Sequence, residues 1–297
     1  MALIELKDVS KLYGFGDATT LALDEVSVTI ERGEFVAVMG PSGCGKSSLM
    51  NVIGLLDRPS HGNYKLDGRK VAKLRANRAA RVRRDTIGFI FQSYNLLPRL
   101  SILENVALPL AYKGVSVKKR IRQASTMLER VGIQNREYFM PSQLSGGQLQ
   151  CAAIARALVN NPKLIIADEP TGNLDSESSR LVMELLSEIH KTGNTVLFVT
   201  HNPELTRYAT RVLYMHDGNI IHDEQTAIGQ VAATARKVLY TLPTTNEEDD
   251  LAGVSALMRA RPDVPSVGRK VTRPKSRSTK KAASKRKTSV RRKKADV

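Results

Sequence analysis

Residues 35–48 read Phe35-Val-Ala-Val-Met-Gly40-Pro41-Ser42-Gly43-Cys44-Gly45-Lys46-Ser47-Ser48. The opening five are all apolar, which predicts a short strand buried on both faces, as in a parallel sheet. It runs directly into the pattern G-x-x-x-x-G-K-[ST]. Gly40, Gly43 and Gly45 let the loop wrap tightly, so its N–H groups point inward at an anion. The helix beginning near Lys46 adds its positive dipole end. Pro41, Ser42, Cys44 and Ser48 complete the cradle. Lys46 is placed to reach the β- and γ-phosphates of a nucleotide, and the Ser47 hydroxyl to ligate Mg²⁺. A glycine-rich turn alone is common; the apolar strand in front makes this one a phosphate loop.

Outward from that loop, Leu164–Ala167 and Val196–Val199 are strands of the same apolar kind. Between them Leu181, Leu185, Leu186 and Ile189 recur at helical spacing over Ser178–Lys191. Buried strands alternating with helices predict a doubly wound α/β core. Leu3–Val9 and Leu21–Ile30 instead alternate apolar and polar residues, as strands with one buried face do. Residues from about 93 to 160 break the rhythm and read as an inserted helical subdomain, with Pro98, Pro109 and Pro141 at element boundaries. Residues 1–226 are therefore one nucleotide-binding domain. Residues 227–261 are an extension with short helices around the acidic run Asn246–Asp250, and 262–297 a basic, disordered tail.

Composition limits the alternatives. The apolar fraction is 41% and no run approaches the ~20 residues that cross a bilayer. The first residues lack the basic-then-apolar pattern of a signal peptide, so the expectation is a cytoplasmic protein whose membrane role needs another chain. Cys44 and Cys151 are too few for a disulfide framework or a zinc site. The net charge of +17 is misleading, because residues 259–297 hold sixteen Lys/Arg against Asp263 and Asp296. That tail accounts for +14, leaving +3 for residues 1–258.

Two further motifs carry chemistry. Leu164-Ile-Ile-Ala-Asp168-Glu169 places two carboxylates where an apolar strand ends, the edge at which open α/β sheets bind ligands. Asp168 suits the Mg²⁺ shell and Glu169 the polarisation of an attacking water. Between this strand and the phosphate loop lies Leu144-Ser145-Gly146-Gly147-Gln148, whose serine and glycine amides at a helix start make an anion site.

That third motif, in that order, resembles the signature of the ATP-binding cassette (ABC) ATPases, over roughly residues 1–226. The resemblance implies a P-loop NTPase core with an antiparallel β subdomain and a helical insertion, binding ATP and Mg²⁺. It implies a head-to-tail homodimer in which Ser145, Gly146, Gly147 and Gln148 of one copy cap the γ-phosphate held by the other. Tyr13 then stands where the family stacks an aromatic on adenine. Gln92 corresponds to the glutamine that touches Mg²⁺ and links the helical subdomain to the core. Asp175, in Asn173-Leu-Asp175, lies in the segment that crosses the dimer interface, and His201 matches the switch histidine on the γ-phosphate. Lys46, Gln92, Glu169 and His201 form the implied catalytic set.

Finer motifs narrow the class. Phe91–Pro98, Glu104–Leu110 and Ala167–Ser176 resemble the lipoprotein-releasing, macrolide-exporting and cell-division ATPases. That implies an integral membrane permease as partner, with the cassette peripheral at the inner face of the cytoplasmic membrane. An importer ATPase is the competing reading, and a non-transport ABC ATPase using its tail on nucleic acid is another. The apolar residues Leu96, Leu97, Leu100 and Ile102 are expected to carry the permease contact. Two features depart from the pattern. Cys151 replaces the arginine that braces the signature helix, and Cys44, among inward-pointing amides, is a candidate for a lowered thiol pKa. The tail suits any polyanion; an anionic membrane surface, nucleic acid and simple solubilisation all stay open.

Overall fold

The computed structural model describes residues 1–14 and 19–226, so the expected extension at 227–261 and the tail at 262–297 lie outside the described residues. The alternating N-terminal segments form a long antiparallel pair, β1 (Ala2–Tyr13) and β2 (Thr20–Glu31), with Ile4 opposite Ile30 and Leu6 opposite Val28. β3 (Phe35–Met39) follows and all five of its side chains are buried, as an unbroken apolar run requires. At roughly 1.5–3 kcal/mol for each large apolar side chain removed from water, the position of this strand is firmly held. α1 (Lys46–Ile53) starts at the end of the glycine-rich loop.

β4 (His61–Leu66) and β5 (Arg69–Lys70) complete a four-stranded sheet in the order β2-β1-β4-β5. Next come α2 (Ala76–Thr86), β6 (Ile87–Ile90), α3 (Ile102–Tyr112), α4 (Val117–Arg130) and α5 (Gly146–Leu158). The chain then returns through β7 (Leu164–Asp168), α6 (Ser176–Lys191), β8 (Thr195–Val199), β9 (Arg211–His216) and β10 (Asn219–Gln225). The central sheet runs β10-β9-β3-β8-β7-β6, parallel except for the edge strand β10.

This sheet is the middle layer. Phe35, Ala37 and Met39 face a core shared with α3, α4, α5 and α6. Val36 and Val38 face a second core, shared with α1 and the antiparallel sheet. The period-2 alternation of one strand thus joins both halves of the molecule.

Two local expectations need correction. Pro109 lies inside α3 and marks no boundary. Its missing N–H removes one intrahelical bond, but Val106 and Leu110 on either side are buried and hold the helix through it. The helical insertion also begins later than residue 93. Residues 91–101 form an irregular loop, ended by a capping box in which Ser101 accepts from the Glu104 N–H while the Glu104 carboxylate accepts from Ser101 N.

Candidate functional site

Four adjacent parallel strands end on one edge, and each delivers part of the site. β3 leads into the glycine-rich loop, β8 into Thr200-His201, β7 into Asp168-Glu169, and β6 into Phe91-Gln92. Asp168 pairs with Val199 across the β7–β8 ladder, and Thr200 N–H donates to the Val38 carbonyl (3.1 Å), so the strand ends are level.

In the loop, Gly40 and Gly45 have φ of +150° and +99°. A Cβ at Gly40 would overlap the Met215 carbonyl, and one at Gly45 the Ala22 carbonyl. Both positions therefore demand glycine for space as well as conformation. Pro41, Ser42, Gly43 and Ser47 are exposed, while Lys46 is buried and donates from Nζ to the carbonyls of Gly40 (2.8 Å) and Pro41 (2.6 Å). Cys44 is not the activated thiol its amide surroundings suggested. It is 3% exposed, and burial pushes its thiol up, outweighing the opposing Lys46 ammonium.

Asp168 and Glu169 sit side by side where β7 ends. Burial, and then the neighbouring Glu169 carboxylate, push the Asp168 carboxyl above its usual range against the pull of Lys46. The loop lysine and the acid strand therefore share one electrostatic environment. Glu169 has a left-handed backbone, φ +43°, although it is not glycine and precedes proline. Such strain persists only where its surroundings over-determine it. Here Glu169 N–H donates to the Val199 carbonyl (3.1 Å), and Glu169 Oε1 accepts from His201 Nδ1 (2.9 Å). An ionised carboxylate only accepts, so the proton of that bond is on Nδ1 and Nε2 is the free ring nitrogen. Gln92 completes the group through a mutual contact with Asn173: Nε2 to Oδ1 at 3.4 Å, and Asn173 Nδ2 to the Gln92 carbonyl at 3.1 Å.

Among the described residues no cluster of three His, Cys, Asp or Glu could hold a metal alone. The donors present are a hydroxyl (Ser47), an amide (Gln92) and a carboxylate (Asp168) pushed up by burial and then by its Glu169 neighbour. That oxygen-rich, incomplete set suits Mg²⁺, which keeps waters and shares phosphate oxygens.

The remaining expected residues lie elsewhere. Ser145 is the exposed N-cap of α5, in a capping box with Gln148 (3.4 Å to its N–H, 3.2 Å back). Gly146 and Gly147 lie against Tyr94, Leu174 and Ser178, in the segments after Gln92 and Asn173. Asp175 caps α6, and the Ser178 amide and hydroxyl hold its carboxyl below the usual range. Tyr13 ends β1, 38% exposed, with Lys11 Nζ 4.7 Å above its ring.

Four residues that the motifs did not single out hold these parts in place. A Cβ at Gly172 would come within 2.7 Å of Gln92 Nε2 and 3.2 Å of Glu169 Oε2. Gln150 is fully buried and donates to the Pro170 carbonyl (2.8 Å), tying α5 to the loop after Glu169. Arg156 donates to the carbonyls of Tyr94 (2.8 Å) and Asn95, two residues with left-handed backbones. Asn105, fully buried, accepts from Leu97 N–H (2.7 Å) and donates to the carbonyls of Leu97, Leu100 and Ser101. A polar residue on an otherwise apolar helical face was the available signal for Gln150 and Asn105.

The apolar surface expected at 96–102 is not formed as such. Ile102 is fully buried, Leu96 packs on the larger core and only Leu97 is strongly exposed. A groove of about 530 Å³ opens instead between α2 and α3. Its floor includes Phe89 stacked on Phe91 (5.5 Å, 4°), and its walls Leu108, Pro109, Tyr112 and the arginines Arg81 and Arg84.

Comparison with known proteins agrees with this layout. The family model described as ABC transporter matches residues 23–172. The macrolide export ATP-binding/permease protein MacB of Hyphomonas neptunium is 50% identical over 221 residues, which are 74% of this chain and 34% of that protein. This chain thus spans about a third of the length of that relative. The uncharacterized ABC transporter ATP-binding protein YvrO of Bacillus subtilis is 46% identical over 223 residues, 75% of this chain and 97% of that one. Among solved structures, the ATP-binding cassette MJ0796, in a dimeric post-hydrolysis state bound to ADP and Pi, superposes with a TM-score of 0.70. It is 42% identical, covering 75% of this chain and 98% of that one. With the phosphate loop, the acidic strand end and the signature helix all in place, the chain belongs to the ABC transporter family and carries its ATP-binding, ATP-hydrolysing cassette.

Proposed function

We propose that two copies of this chain close head to tail on MgATP, hydrolyse it at their shared surface, and so drive a separate membrane permease of the export or mechanotransmission type. The observation that carries this reading is the division of the expected site groups between two places on the chain. Lys46, Glu169 and His201 cluster at one sheet edge, whereas the exposed Ser145 cap and its two glycines pack against Tyr94, Leu174 and Ser178 of their own chain. A second copy turned by a two-fold axis brings Ser145–Gln148 onto the γ-phosphate held by the first.

In this site Lys46 exchanges its loop carbonyls for the β- and γ-phosphate oxygens, and the amides of Gly43–Ser48 surround them. Tyr13 stacks on adenine. Ser47, Asp168 and Gln92 hold Mg²⁺, which neutralises charge on the phosphates when bound. Glu169 polarises the attacking water and is aimed by His201, whose free Nε2 is the atom available to the γ-phosphate. Asp175 and its neighbours line the surface between copies. The groove beside Phe91 and Tyr112 receives the cytoplasmic segment of the permease, which places the cassette at the inner face of the membrane. The tail beyond residue 262, sixteen cations within 259–297 and no aromatic, acts as an electrostatic tether to anionic lipid.

Glu169→Gln tests the shared site, because it removes the carboxylate while keeping both binding surfaces. Size-exclusion chromatography with MgATP should show a dimer and turnover should nearly vanish. A nucleotide-loaded monomer at high protein concentration would overturn the head-to-tail reading.

A further inference from the structure

α2 carries its charges in an order that an isolated helix avoids. Residues 69–84 include eight Lys or Arg and no Asp or Glu. The first turn has no acidic residue and the N-cap, Arg75, makes no side-chain cap. Cations there face the positive end of the helix dipole. Arg75, Arg78 and Arg81 also recur at i+3, where like charges repel. Only a narrow apolar side, Ala79 and Val82 with Leu74 ahead of them, attaches this segment to the core. Arg83 and Arg84 are engaged, with the Leu55 carbonyl (2.7 Å) and with Asp85 (2.8 Å). Lys70, Lys73, Arg75 and Arg78 are exposed, and among the described residues their side chains enter no hydrogen bond or ion pair. Arg83 and Arg84 suit the last turn, but the cations of the first half, Arg75 and Arg78, oppose the helix, and such departures from agreement between levels gather at functional surfaces.

Its place supplies the partner. α2 is one wall of the apolar groove, through Arg81 and Arg84. We propose that the outer face of α2, with Lys70 and Lys73 just before it, rests on the anionic headgroups of the bilayer that holds the permease. The orientation of α2 toward the membrane rests on the proposed permease seat in the groove, whereas its contact with lipid is read directly. Edge protection accounts for Arg69 and Lys70 on the short strand β5, but not for the cations of α2. The exposed cations Arg75, Arg78 and Arg81 follow the helix over about 9 Å, a line that suits a plane of headgroups. Residues 69–86 contain no Phe, Tyr or Trp to stack on bases, which argues against single-stranded nucleic acid as the partner.

Hydrogen exchange on the full chain separates this face from the tail, which is present throughout. Vesicles containing phosphatidylglycerol should slow amide exchange across 69–86, and phosphatidylcholine vesicles should not. Lys70, Lys73, Arg75 and Arg78, none of which lines the groove, are then changed together to Gln. Partitioning onto anionic vesicles should fall roughly fivefold per charge, on the order of 10²- to 10³-fold in total. Arg75→Lys with Arg78→Lys should retain it, and basal ATP hydrolysis should be unchanged in all. Vesicle binding with unaltered exchange at 69–86 would overturn the proposal. So would protection by a short DNA duplex but not by vesicles. Failure of the permease seat is read separately, from loss of permease stimulation in Tyr112→Glu; α2 protection that survives with no permease contact would strike the seat and leave the lipid face standing.

Discussion

At the sheet edge, Lys46 donates to two loop carbonyls, Glu169 accepts from His201, and Glu169 itself sits in a left-handed backbone. In the groove between α2 and α3, Phe89 lies flat on Phe91 and Tyr112 is 72% exposed beside a proline inside its helix. The edge owes its geometry to directional bonds and backbone strain; the groove owes its geometry to shape and apolar area. Directional bonds suit chemistry, where the loss of one donor changes a rate. Apolar concavities suit a partner, where tolerance of small displacements matters more. The two regions meet in residues 91–105, where Gln92 belongs to the edge and Asn105 holds the loop that continues from it.

If the edge is a phosphate site, Lys46→Ala should have the largest effect. Losing charge-assisted bonds to two phosphates should weaken ATP binding on the order of 10³-fold, measured by fluorescent-nucleotide titration. Near-parental affinity would break the comparison at its first term. Next, His201→Ala should bind ATP normally and hydrolyse it on the order of 10²- to 10³-fold more slowly. Parental turnover there would reduce the His201–Glu169 bond to a structural contact.

Asn105→Ala probes the join between the regions. It leaves the Leu97 N–H and the Leu100 carbonyl without their partner, while the Leu97 and Ser101 carbonyls keep backbone bonds, at a cost of about 2 kcal/mol seen in thermal or urea unfolding. Turnover should fall more than stability alone explains, because the loop bearing Gln92 loses its anchor. The smallest effect should come from the groove. Tyr112→Glu should leave basal hydrolysis intact and weaken permease-stimulated ATPase about tenfold, as for one moderate hot-spot residue. Equal loss of basal and stimulated rates would show that the groove is not a separate partner surface.

What was legible in the sequence was local in its cause. An apolar pentapeptide followed by Gly-x-x-x-x-Gly-Lys-Ser makes strand, loop and helix whatever surrounds it, and β3 and α1 follow. The same holds for the carboxylates at the end of β7, for His201 after β8, and for the Ser145 cap, since strand ends and helix starts are set by neighbours in the chain. The order of those motifs, together with the signature, was enough to identify the family. What only the tertiary structure decided involves partners far apart: Glu169 with His201 32 residues on, Gln92 with Asn173 81 residues on, Arg156 with the Tyr94 carbonyl 62 residues back. No periodicity encodes such pairs, because they depend on which strands become neighbours. Pro109 continued a helix because buried residues on both sides outweighed one lost bond, and the thiol of Cys44, a candidate for a lowered pKa, is pushed up because burial outweighs the pull of Lys46. In each case the local rule was sound and a packing term of larger size overrode it.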